Sequence, residues 1–309
     1  MDGANDGSAG VVIGPRAEAA RFALGGRTRE TGAPVVSIVT PMFNEEGAAD
    51  ALVSEIAAAM GALASADEPL RRCAAHEIFA VDDASADDTH AVLTRAAARL
   101  PTLRVLRHEA NAGQSRALRT GALAARGEIL VTLDGDGQND PADIPLVLAP
   151  LVAEGASLRL AMVGGERRKR QDTAAKRLAS KVANAVRSRL LRDGAVDTGC
   201  GLKAIRREAY LRAAYFDHSH RYLPALMRRE GFDVAFAPVS HRPRLHGASK
   251  YTNLGRLVVA FRDLVGVVWL IDRARSPIAV TEVRGREAYV TKERDAAATR
   301  AGGGATPGE

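Results

Sequence analysis

The stretch VTLDGDGQNDP, residues 131 to 141, is an apolar run that stops at Asp134, Asp136 and Asp140, with glycines between the first two acids. Asp134 and Asp136 are two apart, so in a persisting strand they point to the same side, where like-charge repulsion raises one of their pKa values. A divalent cation resolves that conflict. All-oxygen ligation suits Mg²⁺ or Mn²⁺, which bind through one or two carboxylates and complete their shell with substrate phosphates. Gln138 offers a further neutral oxygen, and Gly135 and Gly137 allow a tight backbone bend. Asp140, just before Pro141, is better placed to begin a helix than to bind metal.

Other polar clusters fall at comparable places. Asn44, Glu45 and Glu46 follow the run VVSIVTPMF (35 to 43), Asp82 and Asp83 close EIFAVDD (77 to 83), and Asn111 and Gly113 follow LRVLRHE (103 to 109). EILVTLD (128 to 134) and LRLAMVGG (158 to 165) complete five strand-like runs. Between them, AADALVSEIAAAMGALA and DDTHAVLTRAAARL carry apolar residues at spacings of three and four, the mark of helices. This alternation predicts βαβ units and a mostly parallel sheet with helices on both faces. In such sheets ligands sit beyond the carboxyl ends of the strands, so four separate segments converge on one crevice.

In this order, VSIVTPMFNEE, VDDASADDT, NAGQSRALRTGALAARGE and LVTLDGDGQNDP resemble the nucleotide-sugar half of a family-2 glycosyltransferase with the GT-A fold. GGERRKRQD, SKVANAVRSRLL, DTGCGLKAIRRE and HGASKY are similar to the polyprenyl-phosphate branch, the dolichol-phosphate mannosyltransferase group. The resemblance spans roughly residues 34 to 275. It implies inverting transfer of a sugar from a nucleoside diphosphate (UDP or GDP) to a polyprenyl phosphate, with Mg²⁺ or Mn²⁺ held by Asp134, Asp136 and Gln138. It also implies that Pro41, Asn44, Glu46 and Asp83 line the nucleoside pocket, with Asp83 near the base and Glu46 near the ribose. By the same resemblance, Gly113 and Gln114 would let the backbone approach the sugar nucleotide, Ser249 and Lys250 would belong to a mobile loop that closes over the donor, and Arg167, Arg177 and Lys203 would hold the acceptor phosphate. The mannosyltransferases commonly carry Ala between the two aspartates, so Gly135 is expected to loosen this loop.

The remaining sequence concerns partners. Residues 166 to 192 hold ten Lys or Arg against Glu166 and Asp172, a local +8 that exceeds the +6 of the whole chain. From Thr173 to Arg192, Leu178, Val182, Val186 and Leu190 recur every four residues, which predicts a basic amphipathic helix suited to a membrane surface. Residues 254 to 271 form a second apolar stretch, interrupted by Arg256, Arg262 and Asp263, with Trp269 beside a basic cluster. It is too interrupted to span a bilayer and suits an interfacial or dimer helix, or contact with a membrane-protein partner. The domain expectation is a tail over 1–33, the catalytic domain over 34–252, the amphipathic helix over 253–275 and a second tail over 276–309. Cys73 and Cys200 lie far apart and no apolar leader opens the chain, so a cytoplasmic, membrane-peripheral setting is expected. Aromatic residues make up only 4%, too few for the stacking platforms of a nucleic-acid binder. A family-2 enzyme acting on a hydroxyl acceptor is the alternative; it calls for a catalytic carboxylate near the acceptor, whereas 166 to 251 is basic with few acids.

Overall fold

The computed structural model describes residues 12–13, 35–167, 187, 189–191, 193–195, 197, 199–243, 253–274 and 280–281. All five expected strands form: β2 (Val36–Met42), β3 (His76–Asp82), β4 (Leu103–Arg107), β5 (Ile129–Thr132) and β6 (Leu160–Arg167). A short β1 (Val12–Ile13) pairs antiparallel with β9 (Val280–Thr281), so two short strands lie within the segments read as tails. Two further strands, β7 (Lys203–Arg206) and β8 (Asp233–Val239), complete a seven-stranded sheet in the order β4-β3-β2-β5-β7-β6-β8. β7 runs antiparallel to both its neighbours, and the other pairings are parallel.

Central parallel strands are covered on both faces and therefore read as unbroken apolar runs. Along β2, Ile38 enters one core and Val39 the other. The first core lies under α1 (Glu46–Ala62) and α4 (Ile144–Val152), whose Leu52, Val53, Ile56, Met60 and Leu148 are buried there. Residues 46–65 are long and apolar enough to cross a membrane by composition alone, but these buried side chains make α1 a core helix. The second core joins Phe79, Val81 and Ile205 to α3 (Gln114–Ala124), α5 (Arg207–Arg212), α6 (Leu223–Arg229) and α7 (Asn253–Asp272). The helix α2 (Thr89–Ala97) joins β3 to β4.

The order of strands fixes where a ligand can bind. From β2 the chain steps outward to β3 and β4, then returns to place β5 on the other side of β2. The connections diverge at that point and leave a crevice beyond the carboxyl ends of β2 and β5.

At the opposite end, Glu77 ties three strands together. One of its oxygens accepts from the Ser37 hydroxyl (2.7 Å) and the Arg126 N–H (2.7 Å), and Ser37 Oγ accepts from the Gly127 N–H. Burial works to raise the Glu77 pKa, yet the hydrogen bonds from Arg126 and Ser37 and the charge of Arg126 outweigh it and hold the group below its usual value. With a depressed folded pKa, the stabilisation is complete above the unfolded value of about 4.3 and is lost as pH falls through the folded one. Glu77→Gln should therefore lower stability by ~1–3 kcal/mol at neutral pH and flatten the fall of the melting temperature below pH 4.5. Equal slopes for wild type and variant in thermal scans across acid pH would contradict this.

Candidate active site

The loops after β2 and β3 are stitched to each other before anything binds. The N–H groups of Asn44, Glu45 and Glu46 donate to Ser85, Thr89 and Asp87, while Asn44 Oδ1 and Glu46 Oε2 accept from Ala86 and Asp88. Asn44 adopts a left-handed backbone at φ 54° to reach this arrangement. Its side-chain oxygen and one oxygen of Glu46, both expected to meet a nucleoside, thus hold the rim of the crevice together.

Asp83 sits deeper. It is 3% exposed, and its carboxylate accepts from the N–H groups of Ala112 (2.9 Å) and Gly113 (2.8 Å), from Asn111 Nδ2 (3.0 Å) and from His108 Nδ1 (2.6 Å). A carboxylate has no proton to give, so His108 Nδ1 is the donor and Nε2 faces the Thr120 hydroxyl at 2.9 Å. Both oxygens of Asp83 are occupied twice, and a base reaching them has to displace one of these donors. Their effect is to set the 111–113 loop. Gly113, at φ 86°, turns that loop into α3, a backbone region that favours glycine.

The first residue of α3 is Gln114, whose Nε2 donates to Asp134 Oδ1 at 2.7 Å. Asp134 and Asp136 follow β5 in a loop pressed against the end of β2. A Cβ on Gly135 would lie 2.4 Å from the Pro41 carbonyl oxygen and 2.7 Å from Met42 Sδ. The expectation of a loosened loop is therefore corrected: Gly135 is a point of close approach, and Pro41 contributes the backbone surface it packs on. Asp136 Oδ1 accepts from the Gln138 N–H at 3.1 Å and so braces the turn. Asp140 accepts from the Ala142 N–H and opens the next helical turn, as expected.

Cationic groups approach Asp134 from β6 and β7. Burial pushes its carboxyl upward and Asp136 adds to the rise, against Lys203, Gln114 and Arg167. Lys203 is itself buried, its Nζ donating to the Cys200 carbonyl. Burial lowers its pKa, and the carboxylate of Asp134 works against that fall. Arg167 makes a two-pronged contact with Asp197, Nε to Oδ2 at 2.5 Å and Nη2 to Oδ1 at 2.7 Å. That bond raises the Arg167 pKa. Gly201 completes the wall, because a Cβ there would lie 2.4 Å from Asp134 Cγ.

Asp134, Asp136, Gln114, Lys203 and Arg167 are thus brought to one place. Arg177, Ser249 and Lys250 lie outside the described residues. Asp197, Gly201, Ser115, His220 and Arg221 were not singled out as site residues. His220 Nδ1 meets Ser115 Oγ at 2.7 Å, and both His220 and Arg221 line a cavity beside Asp134. Asp197 and Gly201 lie in the motif DTGCGLKAIRRE, of which only Lys203 was given a role.

The residues fit a hard divalent cation. Two carboxylates act on each other electrostatically at this loop, and among the described residues no group of three His, Cys, Asp or Glu side chains converges as a closed metal cage. A cation here would complete its shell with water or a diphosphate, the open arrangement usual for Mg²⁺, and Gln138 is the further oxygen expected from sequence.

Residues 37–212 match the model of Glycosyl transferase family 2. The chain belongs to this family, and it is a glycosyltransferase. Dodecaprenyl-phosphate galacturonate synthase of Rhizobium johnstonii is 31% identical over 256 residues, which cover 81% of this chain and 72% of that protein. Undecaprenyl-phosphate 4-deoxy-4-formamido-L-arabinose transferase of Sodalis glossinidius is 35% identical over 232 residues, 74% of this chain and 66% of that protein. Among solved structures, glucosyl-3-phosphoglycerate synthase of Mycobacterium tuberculosis, in complex with Mn²⁺, UDP-glucose and phosphoglyceric acid, aligns with a TM-score of 0.56 at 20% identity. That alignment covers 85% of this chain and 86% of the other, and it shows the shared GT-A fold.

The tight seat of Asp134 yields a direct test. Gly201→Ala must push the Asp134 carboxylate out of place, costing ~1–3 kcal/mol by overpacking and weakening cation-dependent nucleotide binding by roughly tenfold or more. Calorimetry on a variant shown to be folded by circular dichroism checks this, and wild-type affinity would contradict the assigned contact.

Proposed function

We propose that this enzyme transfers a sugar, with inversion, from a nucleoside diphosphate sugar to a polyprenyl phosphate at the cytoplasmic surface of a membrane. The observation that carries this reading is electrostatic: Arg167 and Lys203, the cations expected for an acceptor phosphate, both act on Asp134, the carboxylate expected to face the donor diphosphate. Donor and acceptor anions thus meet across a few side chains. The names of the relatives from Rhizobium and Sodalis, both polyprenyl-phosphate sugar transferases, support the same acceptor class.

A bound divalent cation would offset the charge of the leaving diphosphate. The chain's own residues supply position and field. Asp134 and Asp136 would hold the cation, and Gln114, donating to Asp134, fixes its rotamer. An acceptor phosphate is ionised near neutral pH, so its attack calls for alignment more than for a strong base. Arg167 has the fork geometry that suits phosphate as well as carboxylate, and Asp197 keeps the fork oriented. A carboxylate held two-pronged by arginine is a weak base, so Asp197 gives little support to the hydroxyl-acceptor alternative.

For the membrane contact, α7 offers Phe261, Val265 and Trp269, 68%, 54% and 60% exposed, at i, i+4 and i+8 on the face opposite buried Val267. Arg262 and Arg273 flank that stripe. This combination suits a headgroup surface.

Incubation with UDP- and GDP-sugars and short prenyl phosphates, with the lipid product read by mass spectrometry, tests the reaction. Asp136→Ala should abolish cation-dependent turnover while the protein stays folded. Arg167→Ala should reduce transfer to a soluble short-chain acceptor by about 10- to 150-fold, the equivalent of ~1.5–3 kcal/mol for a charged hydrogen bond. Binding of the free nucleoside diphosphate should change far less. Wild-type transfer by Arg167→Ala would reject the phosphate role, and a product on a hydroxyl group would reject the lipid acceptor.

A further inference from the structure

The cavity beside Asp134 has a volume of about 270 Å³. Pockets for drug-sized ligands run to roughly 300–1,000 Å³, and this one equals about nine waters at ~30 Å³ each. It has room for a single sugar ring. Leu118 and Leu223 give it apolar wall for the C–H faces of such a ring, and Gln114, Lys203, His220 and Arg221 give it polar groups.

The charge balance of that wall is uneven. Arg167 and Arg187 are matched by Asp197 and Asp193. Among the described residues, by contrast, no carboxylate lies within 4.0 Å of the Arg221 guanidinium. Lys203, also on the wall, is buried, and Asp134 is the carboxylate that acts on it most. Asp197 acts on Lys203 as well, so Arg221 is the cation of this wall that has no carboxylate beside it among the described residues. His220 adds no third charge. Burial, then Lys203, Arg221 and His218, hold its pKa well below the ordinary value, so it is a neutral hydrogen-bonding ring fixed by Ser115. The turn that carries both residues is anchored to α7, with Tyr222 Oη donating to the Ala260 carbonyl at 3.2 Å and His218 Nδ1 lying 3.2 Å from Asp263 Oδ2. The backbone of the turn is therefore held on both sides of His220 and Arg221.

We infer that this cavity receives the sugar being transferred, and that Arg221, with His220 beside it, selects a sugar bearing an anionic substituent such as a carboxylate. The inference rests on the nucleotide-sugar part of the proposed function and is independent of its lipid acceptor. An anion at Arg221 has a second possible source, the acceptor phosphate, and the two sources respond differently to the same variant.

The probes are UDP, UDP-glucose and UDP-glucuronate, with GDP, GDP-mannose and GDP-mannuronate as the guanosine set. Each is titrated calorimetrically in Mn²⁺ with acceptor omitted. The wild type should bind the uronate form at least about tenfold more tightly than the neutral hexose form. Arg221→Gln should collapse that ratio toward one, and Arg221→Lys should restore part of it. A wild-type preference for the neutral hexose overturns the inference, as does an equal loss of affinity for the sugar-free nucleotide in Arg221→Gln. A raised KM for a soluble prenyl phosphate with an unchanged uronate-to-hexose ratio assigns Arg221 to the acceptor and also overturns it. Failure of every nucleotide sugar to bind overturns both readings, whereas uronate selection without any lipid product rejects the acceptor class alone.

Discussion

A carboxylate partly withdrawn from water is less stable as an anion unless charge or hydrogen bonds come with it, and Asp134, half-buried beside the crevice, is such a group. Burial and Asp136 drive it toward the neutral form, and Lys203, Gln114 and Arg167 offset that rise only in part. Much of the site can be understood as the set of elements needed to bring those partners to it. β7 delivers Lys203, β6 delivers Arg167, the first turn of α3 delivers Gln114, and Gly201 keeps the space the carboxylate occupies. A divalent cation fits the same requirement, adding positive charge where the protein has gathered two acids.

The second level of organisation runs from Asp83. Its hydrogen bonds to residues 111 to 113 set the entrance to α3, and α3 sets Gln114 against Asp134. A path of direct contacts therefore links the loop after β3, where a nucleoside is expected, to the loop after β5, where a diphosphate is expected. A change at one end has a physical route to the other, because each contact on that path is a hydrogen bond of 2.7–2.9 Å.

The parts of this architecture that were legible in sequence share a property. β2, β3 and β5 are buried on both faces and read as apolar runs, and the polar residues that end them are adjacent in sequence to the strands they terminate. The Asp134–Asp136 pair was found for that reason, whereas Gln114 was found through the resemblance carried by NAGQSRALRTGALAARGE. β7 and β8 escaped notice because KAIR is four residues long with charges at both ends, and DVAFAPV contains Pro238, which an edge strand tolerates and a central one does not. Asp197 and Gly201 lie in a motif that was noticed, DTGCGLKAIRRE, but their contacts are with distant segments, and His220 and Arg221 reach the site from a turn that no local pattern marks. Gly135 was read as slack, since a glycine needed for close approach looks the same in sequence as one needed for flexibility. Asn44 and Glu46 show the converse: their types suggest ligand contacts, and the fold uses their side-chain oxygens in joining two loops.

The central claim is that Asp134, held by its protein partners, takes up a cation that brings a nucleoside diphosphate with it. Calorimetric titration of UDP and GDP into the wild type and Asp134→Asn, each with Mn²⁺ and without it, tests this most directly. The account predicts that the preferred nucleotide binds the wild type at least about tenfold more tightly when Mn²⁺ is present, and that Asp134→Asn removes most of this gain. Nucleotide affinity in the wild type that is indifferent to Mn²⁺, or a gain that survives intact in Asp134→Asn, would contradict it.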